Sequence, residues 1–136
     1  MASIKAKVVR TKQARESEKV YDLNERTALF GETFIRLANH LSRTPVSTSL
    51  ISQLVRSSTS VGANYMEAGA AQSGRDFDHK IGICKKEARE TMHWLRMLAA
   101  VDESAQADCR GLWREAHELT MIFPAILKKR RAGVEA

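Results

Sequence analysis

The chain has 136 residues, of which 43% are hydrophobic and 28% charged, and it carries a formal charge of +6. These values fit one globular domain with a modest core, and they exclude a low-complexity or fibrous protein. No window reaches the roughly 18 apolar residues of a membrane span, and the first residues do not resemble a signal peptide. We therefore expect a cytoplasmic protein that has no membrane partner.

The positive charge is concentrated at the two ends of the chain. Residues 1–20 hold six cations and two anions, and residues 128–136 hold four cations and one anion, whereas residues 21–127 hold 12 cations and 13 anions. We predict a basic flexible arm over 1–20, a bundle domain over 21–127 and a basic tail over 128–136. Basic ends suit a polyanion, because each neutralised phosphate releases a counterion; the alternative is that they only aid solubility. The candidate nucleic-acid contacts are Lys5, Lys7, Arg10, Lys12, Arg15, Lys128, Lys129, Arg130 and Arg131.

The first predicted helix begins after Asp22, a good N-cap residue that has Glu25 in capping-box register. Its apolar residues recur at three- and four-residue steps, with a gap near Thr27, which is typical of an amphipathic helix. They are Leu23, Phe30, Phe34, Leu37 and Leu41. We expect this helix to end near Arg43, because Pro45 disfavours helical backbone at the residue before it.

The second predicted helix is capped by Ser47 or Ser49. Its stripe has the same spacing and consists of Ile51, Leu54, Ser58, Val61, Tyr65 and Ala68. The residues around Gly62 are small, which lets two helices approach closely.

The third predicted helix is capped by Ser73 or Asp76. Its stripe is Phe77, Ile81, Cys84, Ala88, Thr91, Leu95 and Leu98. The pattern breaks over residues 101–104. The fourth stripe is Cys109, Leu112, Ala116, Leu119, Phe123 and Ile126. Pro124 lies inside this last run and is expected to kink or shorten the helix.

Four helices with short connections predict an all-α fold, an up-down-up-down antiparallel four-helix bundle. Cys84 and Cys109 have no CxxC partner, so we expect two free thiols that pack on apolar helix faces in a reducing compartment. Trp94 and Trp113 could stack on bases. A place in the core or in a subunit interface is the expectation we favour for both.

Two polar faces accompany the apolar stripes. Arg56, Asn64 and Glu67 share a face of the second helix, and Glu87 and Glu90 share a face of the third. If these faces meet, Arg56 would pair with a carboxylate inside the bundle or at a subunit contact. The alternative is two solvated faces of surface charge.

Catalysis has little support in the sequence. The four histidines, at positions 40, 79, 93 and 117, fall on different predicted turns, and the glycines do not form a phosphate-binding loop. Glu90 and His93 form one Glu-x-x-His pair, whereas a di-iron bundle needs two. We therefore predict no catalytic residue, no metal ligand and no cofactor.

Three ordered strings carry a resemblance to a known family. They are YDL-ERT-FGE within residues 21–32, QLVRSSTSVGANYMEA over 53–68, and DF-KIGICKKEARET-WL within 76–95. In these strings the chain resembles the four helix bundle family related to proteins encoded in intervening sequences of 23S rRNA. The resemblance covers residues 21–100 and extends more loosely through the fourth helix.

The resemblance implies a left-handed four-helix bundle that assembles into a homopentameric ring. More distantly, the chain is similar to the accessory protein of diversity-generating retroelements, which binds nucleic acid and a reverse transcriptase. The positions that match the family motif are Arg56, Asn64, Glu67, Glu87 and Glu90. We expect a non-enzymatic oligomer that binds RNA or DNA through basic surfaces. The alternative is an adaptor for another protein, such as a reverse transcriptase.

Overall fold

A computed structural model describes residues 22–135 of the chain. Four α-helices account for most of these residues: α1 (Leu23–His40), α2 (Pro45–Gly69), α3 (Gly74–Val101) and α4 (Gln106–Glu135). A short 3₁₀ turn, Glu103–Ala105, joins α3 to α4. No strand occurs within this range, so the all-α fold predicted from the hydrophobic period is confirmed. None of the described helices is long and apolar enough to cross a membrane.

Two of the predicted helix caps are confirmed. The Asp22 side chain accepts hydrogen bonds from the backbone amides of Asn24 and Glu25, at 3.0 and 3.3 Å. Ser73 Oγ accepts from the amide of Asp76 at 3.0 Å. Each cap satisfies amide groups that have no partner inside the first turn of a helix, so these side chains fix where α1 and α3 begin.

The connection between α1 and α2 differs from the prediction at both ends. α1 ends at His40 instead of near Arg43, because the chain turns extended at residue 41. α2 is capped by Thr44, not by Ser47 or Ser49, and Pro45 is its first residue. Thr44 Oγ1 accepts from the Ser47 amide at 3.1 Å, and Ser47 Oγ accepts from the Thr44 amide at 2.7 Å. Pro45 suits this position because the first residue of a helix needs no amide donor.

The last helix is longer than the sequence predicted. α4 is not shortened at Pro124, and residues 128–135 continue it. A proline inside a helix removes one backbone hydrogen bond. The apolar residues beyond it, Ile126 and Leu127, pack against the core, and this packing favours continuation of the helix.

Successive helices run antiparallel, as the order of their contacts shows. Arg56 and Val61 of α2 contact Glu90 and Cys84 of α3, so the residue numbers rise on one helix and fall on the other. The same reversal occurs between α1 and α2, where Gly31 lies against Thr59 and Gly62 against Thr27. In the remaining successive pair, Asp78 of α3 contacts Arg130 of α4, and residues of 95–99 on α3 line a groove together with residues of 106–113 on α4. The beginning of α3 therefore lies beside the end of α4, so these two helices are antiparallel as well.

The core lies between the four helices and is built from the predicted stripes. Its fully buried large side chains include Phe34, Ile51, Leu95, Leu119 and Phe123. The gap in the first stripe is filled by Thr27, which is 1% exposed and donates to the Leu23 carbonyl at 2.6 Å. Each helix therefore buries one continuous face in the core, and its opposite face is exposed to solvent.

Candidate nucleic-acid interface

The predicted cations at the ends of the chain fall in two groups. Those of the arm, Lys5, Lys7, Arg10, Lys12 and Arg15, lie outside the described residues. The other four lie near the end of α4, where Lys128, Lys129 and Arg131 are exposed. Arg130 instead bonds both carboxylate oxygens of Asp78 on α3. These hydrogen bonds lower the pKa of Asp78 and raise the pKa of Arg130, so Arg130 serves to join α3 to α4.

A second group of cations lies on α3 and α4, where the near-neutral charge of residues 21–127 gave no signal. Lys85, Arg89 and Arg96 follow one another at four- and seven-residue steps, so they share a face of α3. Arg110 and Arg114 are four residues apart and share a face of α4. Lys85 is half-buried and the four arginines are exposed. We call these five residues the cationic face.

Residues of the cationic face from both α3 and α4 line one groove. Arg96 and Arg110 line the same groove, which has a volume of about 340 Å³. We call it the α3–α4 groove, and its walls are formed by Leu95, Arg96, Ala99, Gln106, Cys109, Arg110 and Trp113. One arginine from each helix therefore lines the same cleft.

Four carboxylates of α3 and α4 pair with arginines of the other two helices. Glu115 and Glu118 both accept hydrogen bonds from Arg26 of α1, at 2.6 and 2.8 Å. Glu87 and Glu90 are held by Arg56 of α2. Glu87, Glu90 and Glu115 therefore balance the formal charge of the domain through pairs with α1 and α2, whereas Glu118, four residues after Arg114, lies beside the cationic face while it pairs with Arg26. An overall charge near zero thus conceals one positive surface.

The predicted polar network between α2 and α3 forms in part. Arg56 donates to Glu87 at 3.2 Å and also to Glu90. Trp94 Nε1 donates to Glu90 at 3.0 Å. Glu87 is 8% exposed, so its charge needs this pairing. The pairing is within one chain and joins two helices.

The two remaining motif residues do not join that network. Asn64 donates to the Ser60 carbonyl of its own helix at 2.9 Å. Glu67 pairs with Lys80 of α3 at 2.7 Å. Deeper between the helices, Thr91 Oγ1 donates to Ser57 Oγ at 2.9 Å, and both residues are fully buried. These contacts hold α2 against α3, so the motif positions are explained by packing of the bundle.

All four histidines, at positions 40, 79, 93 and 117, are exposed and distributed over three helices. Within residues 22–135, no group of three His, Cys, Asp or Glu side chains is placed to hold a metal ion. Every buried side-chain nitrogen or oxygen in this range has a hydrogen-bond partner.

Both cysteines are buried free thiols. Burial raises the pKa of Cys84 from 9.0 to about 12 and the pKa of Cys109 from 9.0 to about 11, with Asp108 and Asp102 adding to the second shift. Both therefore remain protonated at neutral pH, and the thiol is a poor nucleophile compared with the thiolate.

This burial predicts low thiol reactivity in the folded protein. Iodoacetamide should alkylate both cysteines far more slowly than a free thiol at pH 8, because a raised pKa leaves little thiolate. Raising the pH to 9 should accelerate the reaction by about tenfold, more than for a free thiol whose pKa lies near 8.5. Mass spectrometry of the native protein measures the reaction, with the protein in denaturant as control. Alkylation at equal rates in both conditions would contradict the burial of these side chains.

A second groove lies between α1 and α2. It has a volume of about 770 Å³ and is lined largely by small side chains, including Ala28, Gly31, Thr59, Gly62 and Ala63. Met66 borders it and is 66% exposed. We call this the α1–α2 groove. Gly31 and Gly62, which line it, lie where α1 and α2 approach each other closely.

Four antiparallel helices around one core place this chain among the four-helix bundle proteins. The sequence pattern of the 23S rRNA-intervening sequence proteins matches residues 20–124. The chain therefore belongs to the 23S rRNA-intervening sequence protein family.

A solved structure supports this assignment. A protein from Bacteroides thetaiotaomicron, described as a protein of unknown function from the S23 ribosomal protein family, is similar with a TM-score of 0.69 and 28% sequence identity. The similarity covers 77% of this chain and 97% of that one. No curated protein matches the chain.

Proposed function

We propose that this protein is a non-enzymatic, oligomeric four-helix bundle protein that binds RNA or DNA through its basic surfaces. The observation that carries the proposal is the cationic face, where four exposed arginines and a lysine lie on two adjacent helices. Lys128 follows Arg114 at twice the seven-residue spacing, so it extends the same side of α4.

The charge on this face is available because the ion pairs of the bundle lie elsewhere. Within residues 22–135, the ion pairs involve Arg26, Arg36, Arg56, Lys80 and Arg130. The residues of the cationic face are not among them. Binding of a phosphate there does not require breaking an internal ion pair, and it releases counterions from the nucleic acid. Contacts of this kind position the backbone and read no sequence directly.

A charge-removal variant tests the proposal. We expect the triple variant Arg89→Gln, Arg96→Gln and Arg110→Gln to bind a single-stranded RNA or DNA at least about tenfold more weakly at low salt. The slope of log affinity against log salt should become shallower by about 2, because each lost phosphate contact contributes about 0.7 for a single strand. Fluorescence anisotropy across salt concentration measures both quantities.

The matched control removes the same charge from other parts of the surface. Arg36, Arg43 and Arg75 are exposed and lie on α1, in the α1–α2 connection and at the start of α3. Their triple replacement by Gln should leave most of the affinity intact. An equal loss in both triple variants would show that net charge alone governs binding, and no binding by the parent protein at low salt would end the proposal.

We also propose that the protein is a homo-oligomer, and that the oligomer is a pentamer. The pentamer rests on the family resemblance. Exposed apolar side chains on α1, α3 and α4, such as Ile35, Val101 and Met121 at 45%, 49% and 61%, are compatible with subunit contacts. Native mass spectrometry with and without a short RNA reports the number of subunits and the bound polyanion together. A monomer at all concentrations would remove this part of the proposal.

The second candidate function is that of an adaptor for another protein, such as a reverse transcriptase. It is favoured by the α1–α2 groove, whose small side chains and exposed Met66 suit the apolar side chains of a partner helix. Met66→Glu would place a charge at this groove without touching the cationic face. Loss of a co-purifying protein from this variant, with nucleic-acid binding unchanged, would favour the adaptor.

A further inference from the structure

The α3–α4 groove combines an aromatic ring, an apolar floor and two cations. Trp113 is 39% exposed, although the sequence favoured a packing role for it. We call the groove's apolar lining residues Leu95, Ala99 and Cys109 the floor, since Leu95 and Cys109 are buried. Arg96 and Arg110 also line the groove and are exposed. An apolar floor alone would suit many ligands. The two guanidinium groups in the same lining favour a ligand that has a flat apolar part and a negatively charged group next to it.

Trp113 stacks on another ring of its own helix. The ring of His117 lies parallel to the indole, with an interplanar angle of 8° and ring centroids 5.1 Å apart. His117 does not line the groove, so this contact lies outside it. Stacking favours one orientation of the indole, and a side chain that is partly ordered loses less entropy on binding.

We propose that the α3–α4 groove binds an unpaired base of single-stranded nucleic acid, with the base against Trp113 and the neighbouring phosphates on Arg96 and Arg110. This inference rests on the proposed nucleic-acid-binding function and adds a preference for single strands. Every base has a flat π-face that can stack on an aromatic side chain, so such contacts tolerate any sequence. In a duplex the bases are paired and stacked on one another, and that face is not accessible.

The size of the groove agrees with this ligand. Its volume of about 340 Å³ is near the lower end of the roughly 300–1,000 Å³ of small-molecule sites. One planar base fits such a space, whereas a duplex does not enter it. The flanking phosphates would contact Arg96 and Arg110 at the groove and then Arg89 and Arg114, which extend the cationic face on either helix.

The test compares a single-stranded 20-mer of deoxythymidine with a duplex of the same length, for the parent protein and for Trp113→Ala. We expect the variant to bind the single strand about tenfold more weakly, and the duplex with unchanged affinity. The salt dependence should keep its slope because no charge is lost. Trp113→Phe retains an aromatic face and should recover part of the affinity. Val46→Ala, which truncates an exposed apolar side chain on α2, serves as the control.

Fluorescence gives a second and independent measurement. Trp94→Phe leaves Trp113 as the single tryptophan, and its emission should be quenched when the 20-mer of deoxythymidine is added. Trp113→Phe leaves Trp94, whose emission should change little. Unchanged single-strand binding by Trp113→Ala, or an equal loss for single strand and duplex, would overturn the inference while the proposed function stands. Failure of the parent protein to bind either nucleic acid would overturn both.

Discussion

Replacing Phe123 with alanine should lower the free energy of unfolding by about 3–5 kcal/mol, the range measured for the loss of a buried aromatic side chain. Phe123 is fully buried on α4, and its ring centroid lies 6.3 Å from that of Tyr65 on α2. The substitution removes contacts on several sides and leaves a cavity that rigid helices cannot fill. Thermal unfolding should shift downward by about 10–20 °C for a chain of this size.

The control for this change lies two residues earlier on the same helix. Met121 is 61% exposed, so Met121→Ala should change the free energy of unfolding by no more than about 0.5 kcal/mol. If the loss in Met121→Ala grew as the protein was diluted, Met121 would belong to a subunit contact, because the stability of an oligomer depends on concentration. Equal and concentration-independent losses in both variants would contradict the placement of the core.

The core could be predicted from the sequence because helical periodicity is a strong and local signal. Phe34, Ile81 and Leu119 lie on stripes at three- and four-residue steps, and all three are fully buried. Such spacing places apolar side chains on one face of a helix, which must be covered by another element. The all-α fold and the inward faces of the four helices follow from this pattern alone.

Sequence-based predictions are wrong where two local rules compete. Pro45 is predicted to end α1, whereas the same residue begins α2. A proline disfavours helix before it and favours helix after it, so its position does not say which effect determines the boundary. The cap at Thr44 was missed because its partner is Ser47, and the usual capping box has Glu or Gln there. At Pro124 the predicted kink is not tested, whereas the predicted shortening does not occur, because packing beyond the proline outweighs the lost hydrogen bond.

The cationic face shows that the net charge of a sequence segment does not predict the charge of the surfaces that this segment forms. Arg89, Arg96 and Arg110 were counted against nearby acids in the sequence. Glu87 and Glu115 balance them formally, but Arg56 and Arg26 take up those carboxylates across other helix contacts. Which acid pairs with which cation depends on contacts between residues 31 to 89 positions apart. The four- and seven-residue spacing of the cations was the available signal, and charges summed by segment concealed it.

Replacing Gly62 with leucine should lower the free energy of unfolding by about 2–3 kcal/mol, as overpacking does in a close contact. A Cβ atom at Gly62 would lie 3.2 Å from the carbonyl oxygen of Thr27 and 3.3 Å from its carbonyl carbon. The backbone of α1 cannot move away as a flexible side chain would, so a larger side chain must push α1 away from α2. Urea denaturation at a fixed protein concentration measures the loss as a lower midpoint with an unchanged slope.

Gly82 provides the matched control because it also lies inside a helix, while a Cβ atom there would meet nothing within 4 Å. Gly82→Ala should therefore raise the free energy of unfolding by about 0.5–1 kcal/mol, since alanine favours helix more than glycine does. If the free energy of unfolding falls in Gly62→Leu and rises in Gly82→Ala, then Gly62 is needed because α1 and α2 approach each other closely there. A neutral or stabilising Gly62→Leu would mean that the two helices stand farther apart than the contact with Thr27 requires, and the α1–α2 groove would then lose its physical basis.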